Sequence, residues 1–133
     1  MGRLACEVVE RMRTRHAGLA PALEYAIVDS LALPMANGTV DAVLDKGMYD
    51  AFKVKQKEQM LEEVSRVLKP GGLYFCITFT SPKLAFEFKP ATALREYGLV
   101  MESVELPDAI DYGTRVPMYL FSGTRQESHG AEL

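Results

Sequence analysis

Apolar positions change their period several times along the chain, and each change marks a predicted element. Leu4, Val8, Val9 and Met12 recur at helical spacing among arginines and glutamates, predicting an amphipathic helix over residues 3–15. Gly18 and Pro21 end it. Tyr25-Ala26-Ile27-Val28 is a short apolar run closed by Asp29-Ser30, and it reads as a strand. Leu31 to Val40 contains Pro34 and Asn37-Gly38, turn chemistry that makes it a loop. A second strand is predicted from Val40 through Ala42-Val43-Leu44 to Asp45-Lys46-Gly47.

Residues 56–68 carry the clearest helical pattern. Met60, Leu61, Val64, Val67 and Leu68 form one apolar stripe, with Glu58, Glu62, Glu63 and Arg66 elsewhere on the surface. Lys69-Pro70-Gly71-Gly72 stops that helix. Leu73 to Thr80 follows at once, nearly all apolar or β-branched, as expected for a strand covered on both faces. A short helix is expected near Ala91–Tyr97, closed by Gly98. Leu99–Leu106 and Met118–Thr124 read as two strands joined through Pro107–Pro117 by a hairpin-type connection. Strand–helix–strand alternation followed by two strands without an intervening helix implies an α/β fold. The expected sheet is mixed, with an antiparallel strand near one edge.

Composition narrows this little. The chain has 133 residues, enough for one domain, here residues 1–125 with a polar, flexible tail at 126–133. Its net charge of -3 offers no general attraction to nucleic acid or to an anionic membrane. No stretch reaches the ~20 apolar residues of a membrane span. Met1 to Arg15 is unlike a secretory signal, and Glu7 and Glu10 argue against a mitochondrial presequence. Cys6 and Cys76 form no C-x-x-C, and no Cys/His cluster suggests a metal. A buried, reduced thiol is expected at Cys76, which favours a reducing, cytoplasmic location.

Three segments carry the chemistry. Val28-Asp29 places a carboxylate after an apolar run, where open α/β sheets bind ligands; an ordinary turn aspartate is the plain alternative. Asp41-Ala42-Val43-Leu44-Asp45-Lys46-Gly47-Met48-Tyr49-Asp50-Ala51 is the second. Leu68-Lys69-Pro70-Gly71-Gly72 after its helix is the third. This last segment resembles the one before the fifth strand of class I S-adenosylmethionine-dependent methyltransferases. Asp-Ala-Val-Leu-Asp-Lys-Gly-x-x-Asp-Ala is similar to the motif of the protein-lysine methyltransferases acting on elongation factor 1-alpha or citrate synthase. Those usually carry threonine where this chain has Met48. Ala5 to Met12 resembles the helix after that family's second strand, so the likeness covers residues 4–125.

The resemblance implies a partial Rossmann-like fold holding the C-terminal portion of the domain, with the family's strands 1 and 2 missing. It implies S-adenosyl-L-methionine as cofactor and a protein lysine amine as methyl acceptor. Asp29, Ser30 and Leu31 would face the adenine, and Asp45 and Gly47 would complete the cofactor wall. Asp45, Lys46, Tyr49 and Asp50 would form the methyl-transfer end. The plain alternative for Asp45 is a pairing with Lys46 or the capping of a turn. The family holds its cofactor's methionine end over a glycine-rich turn, and none of the glycines here forms G-x-G. Two expectations follow. Cofactor binding by this chain alone should be weak, and the chain is either part of an enzyme or an inactive interaction module. Strands near 41–45, 73–80, 118–124 and 99–106 should still form a four-stranded sheet. The run at 25–28 should either dock beside 41–45 or hang loose, and the open edge should favour self-association.

Overall fold

The computed structural model describes residues 3–81, 98–107, 110–111 and 113–127. The helix expected near Ala91–Tyr97 and the tail beyond residue 127 lie outside the described residues.

Helix α1 spans Arg3–Arg15 and is followed by a single 3₁₀ turn, Ala17–Leu19. Strand β1 (Val40–Lys46) leads into the one-turn helix α2 (Met48–Ala51), helix α3 (Val54–Val67) and strand β2 (Leu68–Thr78). The remaining strands are β3 (Leu99–Leu106), the two-residue pair β4 (Ile110–Asp111) and β5 (Thr114–Arg115), and β6 (Met118–Arg125). The main sheet has four strands in the order β1-β2-β6-β3, with β1 parallel to β2 and β6 antiparallel to both of its neighbours. The mixed α/β sheet and all four of its strands therefore follow the pattern of the sequence, and β4 with β5 supplies the expected hairpin connection.

The stripe on α3 forms the core. Met60, Leu61, Val64, Val67 and Leu68 are all buried, against Tyr49, Tyr74, Cys76, Leu99 and Phe121. Period two puts Tyr74, Cys76 and Thr78 on the α3 side of β2. Among the described residues the opposite side of the sheet is the more exposed: Leu44 is 70% exposed and Val104 63%, while Phe75 and Ile77 are half-buried. Cys76 is buried and unpaired, as expected, and burial pushes its thiol up to about 12. Cys6 is exposed.

The run at 25–28 corrects one expectation. Tyr25 to Val28 belong to no ladder, and Ile27 and Val28 stay exposed. A strand forms only where a neighbour accepts from its N–H groups and donates to its C=O groups. Among the described residues, β2 is the only sheet neighbour of β1. The segment is held instead through α1. The Tyr25 hydroxyl and His16 Nδ1 lie 2.7 Å apart, their rings stack, and Arg13 Nε donates to the Tyr25 carbonyl at 3.0 Å. Of the two arrangements foreseen, docking beside β1 does not occur.

The Leu-Lys-Pro-Gly-Gly segment belongs to β2 rather than to a separate loop. Helix α3 ends at Val67, and the next residue, Leu68, already pairs with Val40. Residues 69–72 then loop out of register before Leu73 rejoins opposite Ala42. Gly71 sits at φ 79°, a left-handed conformation that side chains rarely adopt.

Candidate active site at the carboxyl end of strand β1

Asp45 is the last apolar-face residue of β1 and is 7% exposed. Three donors hold its carboxylate. Met48 N–H donates to Oδ1 at 2.9 Å, Tyr49 N–H to Oδ2 at 3.2 Å, and the Tyr74 hydroxyl to Oδ2 at 3.0 Å. Gly47, at φ 84°, makes the turn that brings those two amides back over the carboxylate. Asp45 thus caps α2, the plain alternative foreseen for it, while its side chain also borders an open cleft. Burial holds the Asp45 carboxyl above its ordinary value, against the lowering effect of the three donors, and Asp50 adds a smaller like-charge effect. Burial likewise raises the Tyr74 hydroxyl, so it stays protonated and remains a donor.

Asp50 fastens the other end of α2. Its carboxylate accepts from the Thr78 hydroxyl, the Phe79 N–H at 3.2 Å and the Thr80 hydroxyl at 2.9 Å. The carboxyl ends of β1 and β2 are therefore tied together through one helical turn. Tyr49 is 1% exposed and lies in the core, with Lys57 Nζ 4.5 Å from its ring centroid. The family resemblance placed Tyr49 and Asp50 at the methyl-transfer end. The structure uses the first for packing and an amide, and the second as a tether.

The cleft has a volume of about 220 Å³ and runs along the free edge of β1. Ser30, Leu33, Asp45, Lys46 and Met48 border it, with Met60 and Tyr74 behind. Ser30 and Lys46 thus line the same cleft as Asp45. Asp29 is not among the lining residues: its Oδ1 accepts the Leu31 N–H at 2.9 Å, closing a local turn. Leu31 packs against the core, and its carbonyl accepts from Gln59 Nε2 at 3.1 Å. Pockets that hold a whole small ligand usually measure ~300–1,000 Å³. An apolar wall with two hydroxyls, one carboxylate and one ammonium therefore fits one end of a nucleoside-type cofactor, and not all of it.

Sequence reasoning missed Tyr74 and Arg66. Tyr74 lay in an apolar strand with nothing to show that its hydroxyl meets Asp45. Arg66 looked like solvated surface, yet every one of its donors is used, as described below.

A family profile described as "Methyltransferase domain" matches residues 4–72, rather more than half of the chain. The eEF1A lysine and N-terminal methyltransferase of Danio rerio is 34% identical over 110 residues, 77% of this chain and 16% of that protein. The ubiquinone/menaquinone biosynthesis C-methyltransferase UbiE of Acidiphilium cryptum is 32% identical over 77 residues, 58% of this chain and 30% of that protein. Among solved structures, the methyltransferase in complex with the Haloferax volcanii Trm112 methyltransferase activator superposes with a TM-score of 0.69 at 20% identity. That match covers 92% of this chain and 69% of the other. The chain belongs to the class I S-adenosylmethionine-dependent methyltransferases. Its fold is a partial version of their Rossmann-like sheet, and S-adenosyl-L-methionine is the family's cofactor. The chain spans less than a third of the length of either curated relative.

Proposed function

We propose that this chain supplies the methyl-transfer end of an S-adenosylmethionine-dependent methyltransferase whose acceptor is a protein lysine amine. The observation that carries the reading is the Asp45 carboxylate, held by three donors at the border of a cleft that also presents Ser30 and Lys46. The acceptor class is supported by the eEF1A lysine and N-terminal methyltransferase of Danio rerio, whose similarity extends over most of this chain.

When bound, the cofactor supplies an electrophilic methyl group on a sulfonium. The lysine nitrogen must arrive neutral and in line. It would form the new N–C bond as the S–C bond breaks, the electron pair of the broken bond staying on sulfur. Asp45 orients the incoming amine by accepting its N–H, then takes the proton that the product ammonium releases. Its raised affinity for protons suits that step. Ser30 and Leu31, with Asp29 shaping their turn, form the adenine side, and Gly47 lets the backbone approach closely. Lys46 guards the rim and favours an acidic acceptor surface. Tyr49 and Asp50 hold the site rather than touch the reacting atoms. We place the protein in the cytosol, where its cysteines stay reduced.

The test is twofold. Calorimetric titration with S-adenosylmethionine should give weak, saturable binding. Incubation with labelled cofactor and purified elongation factor 1-alpha should put label on lysine, read by peptide mass spectrometry. Label on another residue type would replace the acceptor class, and no binding at millimolar cofactor would remove the enzymatic reading. The free edge of β1 and the exposed Leu44 and Val104 favour a second reading, an interaction module that self-associates. Sedimentation of the purified chain as a concentration-independent monomer would rule that out.

A further inference from the structure

The loop from Leu31 to Thr39 is fastened to one polar stripe of α3. Gln59, Glu63 and Arg66 follow at spacings of four and three, so they share a helix face. The Gln59 amide donates to the Leu31 carbonyl, and Glu63 Oε2 accepts the Leu33 N–H at 3.3 Å. Arg66 then spends all five donors of its guanidinium. Nε and one Nη2 proton go to Glu63 Oε2, at 2.9 and 2.5 Å. The other Nη2 proton goes to the Leu33 carbonyl at 2.9 Å. The two Nη1 protons go to the Met35 carbonyl and to Asn37 Oδ1, each at 2.9 Å. At the end of the loop, Gly38 and Thr39 N–H donate to the carbonyls of Arg66 and Val67, both at 2.9 Å. These carbonyls are ones that a helix end leaves without a partner.

We propose that Arg66 is a positioning residue for the cleft. By clamping Leu33, Met35 and Asn37 in one plane it fixes the wall that presents Ser30 and Leu33 opposite Asp45, so that the wall is in place before any ligand arrives. The inference rests on reading that cleft as the cofactor site. Lysine could not substitute: a single ammonium has three donors around one nitrogen and cannot reach acceptors spread along a planar fork. A wall held in its bound shape spares the ligand the cost of ordering it.

Amide hydrogen exchange over residues 31–39 and calorimetric titration with S-adenosylhomocysteine, run on wild type, Arg66→Lys, Arg66→Ala and Glu63→Gln, test it. Arg66→Ala should lose protection across the loop and bind at least tenfold more weakly. Arg66→Lys should recover neither property, and Glu63→Gln should fall between, serving also if Arg66→Ala does not fold. Rescue by lysine would show that charge alone suffices and overturn the proposal. So would a loop that opens in Arg66→Ala without any change in affinity. A wild-type chain that binds no S-adenosylhomocysteine overturns the cofactor reading and this inference with it. A wild type that binds while Arg66→Ala binds equally well overturns the inference alone.

Discussion

Replacing Asp45 by asparagine is expected to lower methyl transfer by about 10²–10⁴, the contribution of a positioned general base, while the chain stays folded. Asparagine keeps an oxygen to accept the Met48 N–H, but turns an NH₂ toward the Tyr49 amide and the Tyr74 hydroxyl. The hydroxyl can rotate to accept from it; the amide cannot. One lost hydrogen bond costs about 1 kcal/mol. Asp45→Ala abandons all three donors, and the buried Tyr74 hydroxyl alone then adds a desolvation penalty of roughly 1–3 kcal/mol. Equal loss of activity with unequal loss of stability is the expected signature.

The pH dependence of stability gives a second view of Asp45. Burial raises its folded-state affinity for a proton above the ordinary value of 3.8. The native state then binds more protons than the unfolded chain, so this contribution is full below that value and is lost as pH rises through the raised one. Asp45→Asn does not titrate there. Its stability deficit relative to wild type should therefore narrow with rising pH in urea denaturation series. A deficit that stays constant from acid to neutral pH would contradict the assignment.

Gly72→Ala is expected to destabilise the chain at or above the upper end of the ~1–3 kcal/mol typical of overpacking. A Cβ there would lie 2.7 Å from the Lys69 carbonyl oxygen, 3.1 Å from Leu68 Cδ2 and 3.2 Å from the Asp41 carbonyl oxygen. Two of the three are backbone and cannot swing away. At Gly123 a Cβ would come still closer to Met101 Sδ, but that is a flexible thioether. Gly71→Ala meets no atom within 4 Å and costs only its left-handed backbone, roughly 1–2 kcal/mol. Thermal melts should rank Gly72→Ala as the worst of the three; a larger loss at Gly123 would show that Met101 is held rigidly.

Whatever depends on periodicity was legible in the sequence. The α3 stripe from Met60 to Leu68 predicted its own burial, because position on a helix decides which residues face the sheet. The motif around Asp45-Lys46-Gly47 pointed to the carboxyl end of β1, which borders the cleft. What depends on partners distant in sequence was not legible. Tyr25–Val28 has strand composition, but composition does not supply a neighbouring strand. Tyr74 and Arg66 act through groups 29 to 33 residues away, such as Asp45 and Leu33, and no local pattern records those pairings.

The out-of-register loop at residues 69–72 has a consequence for chemistry several residues further on. Between Val40 and Ala42 of β1 the chain passes one residue, while β2 passes from Leu68 to Leu73. That surplus indexes the two strands like a pin through matched holes. A slip by one residue would push the crowded Gly72 into the ladder opposite Ala42. With the index set, Val43 falls beside Tyr74 and Asp45 beside Cys76, which leaves the tyrosine hydroxyl 3.0 Å from the carboxylate. The Lys-Pro-Gly-Gly signature touches no reacting atom, yet it is the gauge that decides which hydroxyl Asp45 meets.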